Sequence, residues 1–186
     1  MADAGVTLMR PPEIFETARL SARPPRVEDA PAALASYASD PEVTRYLTWK
    51  PHKQVDSLAE FFGVRADDWD KGNPHFTWLL RLREDDTLVG IIGLIPKDGK
   101  AVFGYALGKN FWGRGLMAEA LHCLVDWSLA QPEIFRAWAF CDVENPASAR
   151  VMEKAGMTRE GILRRWHTCP NLGPEPRDCI VCAKVK

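Results

Sequence analysis

The chain has 186 residues, of which 46% are hydrophobic and 26% charged, a composition typical of one globular domain. Lysine and arginine number 24 against 25 acidic residues, so a net charge of −1 gives no reason to expect nucleic acid or a membrane as a partner. No apolar run approaches the roughly 20 residues of a membrane span, and the first residues lack the order of a signal peptide. We therefore expect a cytoplasmic protein.

The first third of the chain reads as a lead-in followed by helices. Residues 1–18 contain a Pro-Pro pair and little periodicity, which predicts a lead-in segment before a single domain over residues 19–186. A first strand is expected at 19–23 and an alanine-rich helix at 29–39. Asp40 and Pro41 predict the start of a second helix, with Asp40 as its cap, and a longer amphipathic helix is expected at 52–71.

The remaining elements predict one mixed sheet. Two strand-like runs, at 76–83 and 87–95, are joined by turn residues, and a second turn at 98–100 leads into a strand at 101–107. These are expected to be three consecutive antiparallel strands. A helix from residue 116, a strand at 135–141, a helix at 146–155 and strands at 158–166 and 178–185 complete an α+β fold.

A glycine-rich turn separates the strand at 101–107 from the helix that begins near residue 116. Unpaired backbone N–H groups at a helix N-terminus favour an anion, Gly113 and Gly115 let the backbone approach it closely, and Arg114 adds a positive charge. No Gly-Lys-Ser/Thr follows, as a P-loop requires, and Ala118 stands where a dinucleotide fingerprint has its third glycine. A tight connection without a ligand is the alternative.

Three blocks of sequence carry a family resemblance. They read GYAL at 104–107, FWGRGLMAEA at 111–120 and NPASARVMEKAGM at 145–157. Together they resemble the GCN5-related N-acetyltransferases (GNAT), in particular the branch similar to the ribosomal-protein-alanine N-acetyltransferases RimJ and RimL. The superfamily signature Q/R-x-x-G-x-G/A falls on residues 112–117 with atypical first and last positions, whereas the Trp-Gly-x-Gly form is usual in the ribosomal branch.

The resemblance implies a GNAT-like, largely antiparallel sheet flanked by helices, with acetyl-CoA as cosubstrate and no metal. Pantetheine would lie in a gap between the strands at 103–107 and 135–141, and backbone amides of Tyr105, Ala106 and Leu107 would hold the thioester carbonyl. Asn145 and Arg150 would also contact the cofactor. The pyrophosphate would bind the residues of the glycine turn, which are Trp112, Gly113, Arg114, Gly115, Leu116 and Met117.

Catalytic roles follow from the same resemblance. The serine matching Ser148 protonates the departing thiolate in the ribosomal branch, although a serine in a first helical turn can simply support the cap formed by Asn145. The family's acidic base position is held here by His167, which titrates near neutrality and could accept the amine's proton. Glu160 is the nearest carboxylate alternative.

The segments expected to recognise the acceptor amine show the weakest sequence patterns. We expect direct transfer in a ternary complex to a protein N-terminal amine of the ribosomal type. A small amine such as an antibiotic or polyamine, and a non-catalytic CoA-binding sensor, are the alternatives. Candidate recognition segments are residues 46–51, Trp78 and the proline-rich loop 169–177, which could act as a lid. The oligomeric state stays open, with a homodimer as one option.

Cysteine usage points to free thiols. Five cysteines, mostly among apolar neighbours, suit a reducing compartment. Cys179 and Cys182 have a C-x-x-C spacing, but they lie in a strand-like segment where residues three apart face opposite sides. No second Cys/His pair completes four ligands, so no metal site is expected.

Overall fold

One eight-stranded β-sheet organises the molecule in this computed structural model, which describes residues 9–186. The strands lie in the order β1-β2-β3-β4-β5-β6-β8-β7, and every neighbouring pair is antiparallel except β5 and β6. This confirms the predicted α+β fold and the three consecutive antiparallel strands. The strands are β1 Phe15–Glu16, β2 Leu20–Arg23, β3 Phe76–Leu82, β4 Leu88–Lys97, β5 Lys100–Leu107, β6 Arg136–Asp142, β7 Thr158–Thr168 and β8 Pro176–Val185.

In the described residues, five α-helices accompany the sheet: α1 Ala30–Ala33, α2 Pro41–Thr44, α3 Val55–Lys71, α4 Leu116–Ala130 and α5 Pro146–Lys154. Asp40 caps α2 as predicted, since its side chain accepts the Glu42 amide at 2.8 Å. The helix predicted at 29–39 is interrupted. A 3₁₀ turn at Val27–Asp29 precedes α1, and a π-helical turn at Leu34–Ala38 follows it.

The irregular start of that helical segment has a clear cause in Asp29. Its buried carboxylate accepts from Arg23 at 2.6 Å and from Arg81 of β3 at 2.8 Å. A carboxylate held by two guanidinium groups joins the segment to the sheet. It also accepts the Arg26 amide, so the chain turns before α1 begins.

Apolar side chains form one cluster on each face of the sheet. Helices α4 and α5 cover one face through residues such as Leu121 and Met152, whereas α1 and α3 cover the other over β3, β4 and the end of β5. Residues 9–18 join the first cluster, because Met9 and Phe15 are buried and the Phe15 ring lies 5.7 Å from Trp78. The predicted lead-in therefore contributes to the core from residue 9 onward, while its first eight residues lie outside the described part.

The β5 and β6 strands separate partway along their length. Their parallel pairing covers Lys100 to Val102 against Arg136 to Trp138 and then stops. Both strands continue, to Leu107 and Asp142, each held on its outer side by β4 or β8. A gap consequently opens in the middle of the sheet at the carboxyl ends of these strands. Within residues 9–186, no helix is long and apolar enough to cross a membrane.

Candidate active site

Backbone groups of β5 line one side of the gap. The Gly108 amide donates to the Val89 carbonyl of β4 at 2.8 Å. Because peptide groups alternate along an antiparallel ladder, those of Tyr105 and Leu107 point away from β4 and toward the gap, whereas those of Ala106 face β4. Of the three predicted carbonyl-binding residues, Tyr105 and Leu107 therefore present their amides to a ligand in the gap.

The glycine turn at the start of α4 has the geometry of an anion site. Gly113 and Gly115 adopt φ angles of 77° and 76°, in the left-handed region that glycine favours. The first backbone bond of α4 runs from the Glu119 amide to the Gly115 carbonyl, so among residues 9–186 no acceptor takes the amides of residues 113–118. A Cβ on Gly113 would meet no atom within 4 Å, which leaves room for a ligand. These features fit the phosphates of CoA.

The neighbours of these glycines fix the turn, which we call the anion-binding turn (residues 112–117). Leu116 and Met117 are buried in the core and anchor the first turn of α4. The Trp112 indole donates to the Leu107 carbonyl at 2.7 Å, tying the turn to the end of β5. The Arg114 guanidinium lies over the Phe111 ring, 5.8 Å from its centroid. The turn is thus held in place while the amides of residues 113–117 stay unpaired within the described part of the chain.

Helix α5 begins beside the gap on the face that α4 also covers. Asn145 is its cap, since its side chain accepts the Ser148 amide at 3.2 Å. The Tyr105 hydroxyl lies 2.8 Å from the Ser148 hydroxyl and 3.2 Å from the Ser148 carbonyl. Burial raises the pKa of Tyr105, which keeps its proton available for donation. Arg150 is exposed on the same helix, as the predicted phosphate contact requires.

His167 lies on the opposite face of the sheet. The buried Ala139 and Cys141 of β6 face the helices, so the intervening Phe140 points to the other side. The His167 ring packs edge-on against Phe140 with 5.0 Å between centroids. Burial lowers the pKa of His167, and the charge of Asp142 opposes this shift. The imidazole is therefore neutral at physiological pH and can accept a proton.

Glu160 has a different environment. Both of its carboxylate oxygens accept from the Arg136 guanidinium, which holds the Glu160 pKa below its usual value. Arg136 is the first residue of β6, at the end where β5 and β6 are still paired. Glu160 therefore lies toward the closed end of the gap with its proton-accepting oxygens engaged. The placement favours His167 over Glu160 as the base.

The predicted recognition segments meet different outcomes. The prediction that Trp78 contacts the substrate is wrong, because Trp78 is fully buried against Trp69 and its indole donates to the Pro12 carbonyl. The loop at 169–175, predicted as a possible lid, is held in place by hydrogen bonds. The Asn171 side chain donates to the carbonyls of Thr44 and Trp49 at 2.7 and 2.8 Å. A cleft of about 350 Å³ lies between Val143 and residues 172–178.

The cysteines are free and buried or half-buried. On β8, Cys182 pairs with Ala139 on the face packed by the helices, and Cys179 faces the other side, as the strand alternation predicts. Burial raises the pKa of Cys141 to about 11 and that of Cys179 to about 12, so both stay protonated. Among residues 9–186 no three or more His, Cys, Asp or Glu side chains form a metal-binding group.

Contacts between distant parts of the chain were missed by sequence reasoning. Arg19 binds both Glu119 and the Arg114 carbonyl of the anion-binding turn, 95 to 100 residues away. The Tyr105 hydroxyl and Asn171 contacts also join separate segments. No local pattern signals them.

Comparisons with known proteins agree with this geometry. A family model described as an acetyltransferase (GNAT) domain matches residues 19–158. An uncharacterized N-acetyltransferase of Bacillus licheniformis, p20, is 31% identical over 157 residues, covering 83% of this chain and 87% of p20. The ribosomal-protein-serine acetyltransferase of Escherichia coli is 31% identical over 85 residues, 44% of this chain and 48% of that protein.

The fold is shared with solved structures. The microcin C7 self-immunity acetyltransferase MccE, solved in complex with acetyl-CoA and AMP, superimposes with a TM-score of 0.83 at 19% sequence identity. The match covers 97% of this chain and 99% of that one. At this identity the likeness concerns the fold.

Proposed function

This chain belongs to the GNAT acetyltransferase family and is an acetyl-CoA-dependent N-acetyltransferase, and we propose that its acceptor is the N-terminal amine of a protein. The observation that carries the proposal is the gap between β5 and β6, with Ser148 on one face of the sheet and His167 on the other. Acetyl-CoA and the acceptor amine could thus approach the gap from opposite faces of the sheet. That arrangement supports direct transfer without an acyl-enzyme.

The bound thioester supplies an electrophilic carbonyl and a thiolate leaving group. Amides of Tyr105 and Leu107 hold the carbonyl oxygen in the gap, and the anion-binding turn holds the pyrophosphate with Arg150 near it. His167 accepts a proton from the ammonium form of the amine, directly or through water. Ser148, held by Tyr105 and Asn145, would give its proton to the departing thiolate. The proton that the nitrogen loses as it becomes an amide would restore the Ser148 hydroxyl, directly or through water.

A protein N-terminus is favoured over a small amine by two observations. The E. coli relative acts, by its name, on a ribosomal-protein serine, and its match is 31% identical. The cleft beside Val143 lies at the end of β6, where the gap between β5 and β6 opens. Glu175 and Asp178 line it together with Arg177, which is already paired with Asp142 and Glu144. The two carboxylates lie 3.7 and 3.9 Å from exposed arginine side chains, and such distant pairs are weak, so the carboxylates would still attract a cationic N-terminus.

The test is thiol release from acetyl-CoA with a panel of amines. Peptides beginning with serine or alanine are compared with the same peptides blocked at the N-terminus but carrying an internal lysine, and with spermidine and an aminoglycoside. We expect release with free N-termini alone, and mass spectrometry then locates the acetyl group. Release only with the polyamine or the antibiotic would replace this acceptor with a small amine. CoA binding without release for any amine would favour the sensor alternative.

A further inference from the structure

Glu119 places a negative charge in the first turn of α4, next to the proposed phosphate site. Its carboxylate accepts three hydrogen bonds from the segment that leads into β2, and it forms an ion pair with the same segment. The donors are the Thr17 hydroxyl at 2.5 Å, the Arg19 amide at 2.9 Å and the Arg19 Nε at 2.7 Å. A terminal nitrogen of Arg19 also lies 2.7 Å from the carboxylate. These bonds hold the Glu119 pKa below its usual value, against the opposing effect of burial.

Arg19 also reaches the turn itself. Its other terminal nitrogen donates to the Arg114 carbonyl at 2.8 Å. In a trans peptide the C=O and the following N–H point in opposite directions. A bond that draws the Arg114 carbonyl toward Arg19 therefore turns the Gly115 amide the opposite way. Gly115 is the cap position of α4 and lies among the unpaired amides of residues 113–118.

We propose that Arg19 and Glu119 are positioning residues for the anion-binding turn, which rests on the proposed use of that turn for CoA phosphates. Arg19 orients the Gly115 amide and neutralises Glu119, and Glu119 fixes the guanidinium in place. Arg19 is half exposed and Glu119 mostly covered, so the pair forms the outer wall of the turn. Neither side chain needs to contact the ligand.

The two functions of Arg19 can be separated by substitution. Arg19→Ala removes both, whereas Arg19→Lys keeps the positive charge but cannot hold Glu119 and the Arg114 carbonyl with one planar group. Glu119→Gln keeps the shape of the carboxylate and removes its charge. The matched control is Asp126→Asn, which breaks an ion pair with Lys184 on the exposed side of the same helix.

The experiment measures the Kd of CoA by calorimetry and the Kd of pantetheine, which lacks phosphates, by NMR titration. Neither measurement needs the acceptor. For Arg19→Ala, Arg19→Lys and Glu119→Gln, we expect the Kd of CoA to rise roughly tenfold or more, as for loss of a charge-assisted bond. The Kd of pantetheine should stay within about twofold, and Asp126→Asn should change neither value.

Equal weakening of CoA and pantetheine would show a general structural role and overturn the proposal, as would unchanged CoA affinity in all three variants. A wild-type Kd of CoA for Arg19→Lys would overturn the proposal that the planar guanidinium of Arg19 orients the anion-binding turn. Failure of the wild-type protein to bind CoA would instead overturn the phosphate site itself. Thermal unfolding of each variant identifies any that do not fold, and the two conservative variants then decide the outcome.

Discussion

The Tyr105 hydroxyl and the Ser148 hydroxyl lie 2.8 Å apart, joining the end of β5 to the first turn of α5 beside the gap. Ser148 is held from its backbone as well, because Asn145 accepts its amide. The hydroxyl is thus held by Tyr105 and the backbone by Asn145, which restricts the direction of the hydroxyl, as the proposed general acid requires. Tyr105 thus contributes to the site through its side chain in addition to its backbone.

Ser148→Ala is expected to lower kcat by on the order of 10²-fold, because a positioned general acid contributes at least that much. The Kd of CoA should stay nearly constant, since the substitution removes only a hydroxyl. Steady-state kinetics with calorimetry gives both values. Equal losses in kcat and in CoA affinity would make Ser148 a binding contact.

Tyr105→Phe tests the hydrogen bond between the two hydroxyls. Ser148 remains but can rotate, so we expect a fall in kcat of roughly tenfold, smaller than that of Ser148→Ala. The double variant should be no worse than Ser148→Ala alone, because both residues act through one proton donor. Additive losses would show that Tyr105 acts independently of Ser148.

The sequence predicted this site where the signal is local. A glycine turn before a helix, an Asn-Pro cap and alternating strands are each recognisable within about ten residues of sequence. The structure has the left-handed glycines and the Asn145 cap at those positions, while their contacts with CoA stay a prediction. Tertiary packing determines the parts of the site that the sequence did not predict. Trp78 is an aromatic residue of the kind that often contacts substrates, but its strand runs through the core. The contact between Arg19 and Arg114 joins residues that are 95 positions apart in the sequence. Periodicity carries no information on either.

Gly113→Val and Gly115→Val should raise the Kd of CoA by roughly tenfold or more while the protein stays folded. Each site has a left-handed φ that a β-branched residue adopts only with strain. A Cβ on Gly113 would meet no atom within 4 Å, whereas one on Gly115 would lie 3.7 Å from the Arg19 guanidinium that holds the turn. Gly72→Val is the matched control, since its φ of 68° lies at the end of α3 outside the site. CoA affinity that survives in both variants would contradict the phosphate site.

The pH dependence of kcat/KM tests His167. Its neutral form accepts the proton, and its pKa lies below the ordinary 6.5, so activity should fall only as pH drops below that value. His167→Ala should lower kcat/KM and remove this limb. Glu160→Gln should retain it, because Glu160 is paired with Arg136. A limb that persists in His167→Ala and disappears in Glu160→Gln would reverse the assignment.

Arg177 supports the end of β6 beside the gap through Asp142, whose side chain is completely buried there. The guanidinium contacts both Asp142 oxygens and reaches Glu144 at 2.7 Å. Arg177→Met should lower the free energy of unfolding by about 3 kcal/mol, because it leaves a buried carboxylate without its cation. The Glu144 amide, 2.8 Å from Asp142, remains as a partner and limits the loss.

Urea denaturation measures this loss, with Arg164→Met as the control, since Arg164 is exposed and 3.9 Å from Asp178. We expect no measurable change for the control, because an exposed pair at that distance contributes little. Asp142→Asn combined with Arg177→Met should recover part of the stability, since the stranded charge is then absent. If Arg177→Met is as stable as the wild type, the pair does not anchor the end of β6, and the position of the cleft beside Val143 must depend on the Asn171 contacts instead.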